Sequence, residues 1–167
     1  MRSKIFGGIM GLVVGDALGV PVEFMSRHEL KSNPVTTMRE YGSHNQPRGT
    51  WSDDSSMALC LVDSLNSGLS YDDVASKFLD WADAGYMTPY GEVFDIGRTT
   101  LTAIRRFAGG TSPLECGGSS EYDNGNGSLM RILPLAFYTH GMKKQMRFET
   151  VHNVSRLTHS HERTLIA

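Results

Sequence analysis

Ser52, Asp53 and Asp54 bring a hydroxyl and two adjacent carboxylates to the start of an apolar, helix-like run, within Gly49-Thr50-Trp51-Ser52-Asp53-Asp54-Ser55-Ser56-Met57-Ala58-Leu59. Hard oxygen donors at this density suit Mg²⁺ or Mn²⁺. Such a trio also describes an ordinary helix start, in which Ser52 caps free backbone amides and the two aspartates complement the helix dipole. As metal ligands, three side chains would leave an octahedral ion to be completed by water, substrate or other residues.

Three further segments carry polar groups whose types invite chemistry. Gly15-Asp16-Ala17-Leu18-Gly19-Val20-Pro21-Val22-Glu23 sets Asp16 in apolar surroundings, where a carboxylate must find hydrogen-bond partners, and Glu23 at the mouth of a long polar stretch. Glu23 is either a solvated surface side chain or a carboxylate on a lid, able to orient or deprotonate water. Asp123-Asn124-Gly125-Asn126-Gly127-Ser128-Leu129-Met130-Arg131 exposes backbone amides ahead of an expected helix, either as a plain turn or as a nest for phosphate. It lacks the Gly-Lys-Ser/Thr of a P-loop. Asp95, ahead of Gly97, and His159, after Thr158, are an N-cap and a packed histidine unless a site gathers them.

The elements that must position these groups read as helices. One spans about residues 3–18, with Ile5, Ile9, Leu12 and Val13 at helical spacing and Gly7, Gly8, Gly11 and Gly15 suggesting close approach of another backbone or a ligand. Val20-Pro21 ends it, and 26–49 reads as a long loop. A second helix is expected over 54–67, with Met57, Ala58, Leu61, Val62 and Leu65 inward. A third follows a capping box at Ser70, with Val74, Phe78, Trp81 and Ala82 inward, and Gly85 stops it. Leu101, Ile104 and Phe107 mark a fourth, ended by Gly109-Gly110. Residues 109–127 form a Gly- and Ser-rich loop. A short helix is expected from Ser128 to a break at Pro134, and another from Phe148 with Val151, Val154 and Leu157 on one side. No segment alternates like a strand. The expectation is a single all-α domain over 1–167 with its function on loops between helices.

The totals narrow the function classes. The 167 residues, 40% hydrophobic, suffice for a core. A net charge of −2 argues against a dedicated nucleic-acid surface. No apolar stretch reads as bilayer-length, so no membrane role is expected. Arg2 and Lys4 before an apolar run loosely imitate a secretion signal. Asp16 and the lack of a cleavage pattern favour a packed helix. Cys60 and Cys116 have no metal or redox spacing and read as free thiols of a cytoplasmic protein.

Taken in order, the motifs resemble the ADP-ribosylglycohydrolase family. They are Gly15-Asp16-x-x-Gly19-x-Pro21-x-Glu23, Gly49-Thr50-Trp51-Ser52-Asp53-Asp54, Asp95-Ile96-Gly97-x-Thr99-Thr100, Gly125-Asn126-Gly127-Ser128-Leu129-Met130-Arg131-x-x-Pro134 and Leu157-Thr158-His159. The resemblance implies a compact orthogonal multi-helix fold with a loop-borne cleft and a binuclear Mg²⁺ or Mn²⁺ site. It implies hydrolysis of a glycosidic bond joining ADP-ribose to a protein side chain or small conjugate.

Carried over by residue, Ser52 takes the place of a ligand that is usually Thr, and Asp53 and Asp54 match paired metal carboxylates. Glu23, Asp54 and Asp95 are the expected catalytic carboxylates. Gly125, Asn126, Gly127, Ser128 and His159 match the side that receives ribose and pyrophosphate. The family also carries an Asp-x-Asp-Thr/Ser segment near its C-terminus, which this sequence lacks. The run 158–167 reads as a helix that stops without a cap. The domain is therefore expected to be incomplete at its C-terminus, to bind Mg²⁺ weakly and to turn over little alone. The alternatives are a non-catalytic ADP-ribose-binding or structural relative, and half of a split enzyme completed by a C-terminal fragment. Self-association through uncovered apolar helix faces is a further expectation.

Overall fold

A computed structural model describes residues 2–166, and every described element is helical. The α-helices are α1 (Arg2–Gly19), α2 (Arg27–Ser32), α3 (Asp53–Leu65), α4 (Tyr71–Ala84), α5 (Arg98–Ala108), α6 (Leu133–Tyr138), α7 (Lys144–Arg156) and α8 (Glu162–Ile166). Two single 3-10 turns lie at Val20–Val22 and Pro113–Glu115. Among the described residues the nearest approach to a sheet is one isolated bridge between Gly118 and His159.

The middle helix, α3, forms because Ser52 caps it and its apolar residues recur every three to four positions. Met57, Cys60 and Leu61 of α3 meet Val74, Phe78 and Trp81 of α4, Ile104 of α5, Leu135 of α6, and Val154 and Leu157 at the end of α7. Each fully buried large side chain contributes about 1.5–3 kcal/mol of hydrophobic stabilisation. Ser70 caps α4 by accepting from the Asp73 amide at 3.3 Å. The helix ends at Gly85, whose φ of 69° is the left-handed cap that glycine adopts readily. Both cysteines are free and buried.

Several boundaries differ from the sequence reading. The stretch 26–49 contains α2, nucleated by a capping box between Ser26 and Glu29. Pro134 opens α6 rather than breaking a helix begun at Ser128. Its missing N–H and fixed φ suit a first turn, so residues 127–131 form turns instead. The seventh helix starts at Lys144, one turn before Phe148. The expected unbroken C-terminal helix is interrupted over 157–161, where Thr158 and His159 are buried, before α8 begins. Ala167 lies outside the described residues.

The first helix departs most from expectation. Gly8 allows close approach, since a Cβ there would lie 2.6 Å from Phe137 Cζ in α6. Gly7, Gly11 and Gly15 face open space instead. Phe6, Met10 and Val14 stand 69%, 41% and 41% exposed. The span Arg2–Val22 is also long and apolar enough to cross a bilayer by length and composition, although the sequence reading found no such stretch. Asp16 lies inside that span and is tied to α3, which packs the C-terminal turn of α1 against the core.

Candidate active site

One cleft of about 650 Å³ gathers nearly every residue singled out from the sequence. Its wall includes Asp16, Glu23, Ser52, Asp53, Asp54, Asp95, Gly125, Asn126, Gly127 and His159. Ser128 is not among the wall residues and is only 2% exposed, so it belongs to the buried layer behind the loop.

Asp16 organises the acidic end. Its carboxylate accepts from the Ser52 amide at 3.0 and 3.1 Å, the Ser52 hydroxyl at 2.8 Å, the Ser55 amide at 3.0 Å and the Ser55 hydroxyl at 2.6 Å. A carboxylate in an apolar segment thus finds its partners at the start of a neighbouring helix. Ser52 acts as the N-cap, accepting from the Asp54 amide at 3.4 Å while donating to Asp16. This arrangement sets Asp53 and Asp54 in the first turn of α3, beside the cleft.

Repulsion among the carboxylates there outweighs the nearby positive charge. Burial, then repulsion from Asp54, Asp95 and Asp16, pushes the Asp53 pKa up to about 8. Burial and the negative charges of Asp16, Asp95 and Glu23 push Asp54 up to about 6. Asp95 is raised to about 6 by burial, a hydrogen bond with Glu23 and the charge of Glu23, against a lowering contribution from His44. Oxygen donors that repel one another in a partly dry cleft fit a divalent cation. On that donor chemistry, Asp53 and Asp54 would hold the ion, with the Ser52 oxygen alongside.

The sequence reading missed His44. Its Nε2 lies 2.5 Å from Glu23 Oε2 and 3.9 Å from Asp95 Oδ2, and its ring sits between Phe24 and Phe94 at centroid distances of 5.9 and 5.3 Å. Glu23, His44 and Asp95 therefore offer three ligand-type atoms within 4.8 Å of one another, a second polar group beside the Asp53–Asp54 pair. The backbone flanking this group is unusual. Phe24 and Asp95 hold φ of 63° and 57°, a left-handed conformation disfavoured for residues with a Cβ. Glu23 is thus tied to the loop carrying His44, where the sequence alone left it either a solvated surface side chain or a carboxylate on a lid.

The opposite wall is the Gly-Asn-Gly loop. Asp123 anchors it, accepting from the Ser120 amide and hydroxyl at 3.0 and 2.6 Å and from Thr99 Oγ1 at 3.0 Å. Gly127 has to be glycine because a Cβ would lie 2.7 Å from His159 Cε1 and 3.0 Å from Thr100 Oγ1. Behind the loop, the fully buried Arg131 donates to the Gly127 carbonyl at 2.8 Å and faces the Phe78 ring at 4.7 Å. A buried guanidinium is costly, and these contacts together with the Asp53 charge offset part of that cost.

Comparison with known proteins places the whole chain. The family model described as ADP-ribosylglycohydrolase matches residues 1–167. The chain is 33% identical over 164 residues to the ADP-ribosylarginine hydrolase Tri1 of Pseudomonas putida (strain GB-1), covering 95% of this chain and 42% of that protein. It is 32% identical over 173 residues to the ADP-ribosyl-[dinitrogen reductase] glycohydrolase of Rhodospirillum rubrum, covering 96% of this chain and 53% of the relative. A solved ADP-ribosylglycohydrolase-related protein complex superposes with a TM-score of 0.80 at 31% identity, over 97% of this chain and 51% of the solved one. The chain thus spans about half the length of these relatives. With its whole length matched by the family model and its helical fold shared with the solved relative, the chain belongs to the ADP-ribosylglycohydrolase family.

Proposed function

We propose that this chain serves the hydrolysis of the glycosidic bond between ADP-ribose and a modified protein side chain or small conjugate, assisted by Mg²⁺ or Mn²⁺. The observation that carries the reading is the meeting, in one cleft, of Asp53, Asp54 and Asp95 with the Gly125–Gly127 loop and His159. Ser52, Asp53 and Asp54 hold the cation. When bound, it offsets their repulsion and orients ribose hydroxyls and water. The amides of the Gly-Asn-Gly loop and His159 receive the ribose and pyrophosphate oxygens. Asp95 holds a proton up to about pH 6, and its hydrogen-bonded partner Glu23 takes or returns one as the glycosidic bond breaks. An arginine-linked substrate is supported by the likeness to the Pseudomonas relative, an ADP-ribosylarginine hydrolase.

Calorimetry with Mn²⁺ and ADP-ribose, together with release of ADP-ribose from an ADP-ribosylarginine conjugate, tests the proposal. Metal-dependent binding of ADP-ribose, with little turnover by the chain alone, is the expected result. Binding of ADP-ribose without metal and without turnover would instead mark a binding relative. Turnover only after adding the remaining half of a relative would mark a chain that needs a complement. Absence of both metal and ADP-ribose binding overturns the proposal.

A further inference from the structure

His159 meets the cleft with one ring nitrogen already engaged. Its Nδ1 lies 2.8 Å from Thr158 Oγ1. That oxygen accepts a hydrogen bond from Arg131 Nη2 at 2.7 Å. A guanidinium has no lone pair to offer, so the direction of this bond is certain. Thr158 is 1% exposed, and among the described residues its hydroxyl proton has no other acceptor within hydrogen-bond distance. If Nδ1 carried the ring proton, Thr158 Oγ1 would accept twice and its own buried proton would have no partner. The hydroxyl therefore donates to an unprotonated Nδ1.

The remaining ring proton then belongs to Nε2, which faces the glycine loop. A Cβ on Gly127 would lie 3.2 Å from Nε2, and one on Gly125 would lie 3.7 Å away. Burial, followed by the positive charge of Arg131, lowers the His159 pKa to about 4 and keeps the ring neutral near pH 7. We propose that Arg131 and Thr158 are positioning residues that lock His159 as a neutral Nε2–H donor facing the cleft, so that it gives a hydrogen bond to a ligand oxygen and takes no proton from the ligand. Naming that oxygen as a ribose or phosphate oxygen of ADP-ribose rests on the proposed function. The tautomer does not.

Long-range ¹H–¹⁵N spectra of the 167-residue chain, uniformly labelled with ¹⁵N, report which ring nitrogen carries the proton, with H159Q identifying the signal. The expected pattern at neutral pH is an unprotonated Nδ1 and a protonated Nε2, kept in T158S and lost to a tautomer mixture in T158V. A protonated Nδ1 in the unaltered chain, or a T158V pattern unchanged from it, overturns the proposal. Should T158V fail to fold, the unaltered chain still decides. Adding ADP-ribose is expected to shift the Nε2 signal. If backbone signals of residues 125–127 move and Nε2 does not, the donor role fails. If nothing in the cleft moves, the ADP-ribose reading fails and the tautomer assignment stands on the ligand-free spectrum.

Discussion

Asp16 in α1 and Ser52 at the head of α3 are joined through both oxygens of the carboxylate, one of which, Oδ2, also accepts from the amide and hydroxyl of Ser55. The acidic pair that follows Ser52 is therefore aimed by a residue far away in sequence. Replacing Asp16 with Ala strands several donors at a helix start. The expected cost is about 2–4 kcal/mol, read from urea unfolding. D16N, which keeps the shape and one acceptor oxygen, is expected to lose less.

The pH dependence of stability follows from the raised carboxylates. Asp53, Asp54 and Asp95 bind protons more tightly in the folded chain than in the unfolded one. Their stabilising contribution is fully present below about pH 4, the ordinary carboxylate range, and is lost as pH rises through about 6 and then about 8. In chelator, the melting temperature is expected to fall from pH 5 to pH 8. D53N is expected to flatten that fall, with each kcal/mol recovered raising Tm by about 2–4 °C. Mn²⁺ is expected to raise Tm most at pH 8. A melting temperature that rises over this range in chelator contradicts the assignment.

Two glycines in one loop should respond differently. G127A forces a Cβ against His159 and Thr100, whereas G125A meets only an ordinary contact at 3.7 Å. G127A is expected to cost about 1–3 kcal/mol and to weaken ADP-ribose binding at least tenfold. G125A is expected to leave stability within about 0.5 kcal/mol. Thermal melts and calorimetry on both variants separate the outcomes.

The exposed side of α1 yields a prediction about solution behaviour. Phe6, Met10 and Val14 contribute little to the core of this chain. Changing all three to Ser is expected to alter stability by less than about 1 kcal/mol while sharply lowering fluorescence of a dye that binds apolar surface. A large loss of stability would mean that these side chains are covered.

Local signals carried well from sequence to structure. Ser52, Ser70 and Gly85 delimit α3 and α4 because caps and left-handed stops depend on residues within a turn of one another. Glu23, the Ser52–Asp54 trio, Asp95, the Gly125–Gly127 loop and His159 all reach one cleft, and their chain order was the cue. His44 was missed because it is a lone histidine in a polar stretch, and its tie to Glu23 spans 21 residues with no periodic trace. Pro134 was misread because proline both breaks and begins helices, and only the tertiary position of Leu135 in the core decides which. The Ser26–Glu29 capping box, by contrast, is legible in the sequence, within a segment whose polar composition reads as loop.

Phe24 and Asp95, both close to His44, hold twisted backbones. Each such residue costs about 1 kcal/mol relative to glycine in the same conformation. A library of variants sorted only for heat resistance should therefore enrich Gly or Asn at these two positions and neutral residues at Asp53. The sturdiest descendants of this molecule would keep Asp16 and discard the acid groups of Asp53 and Asp95.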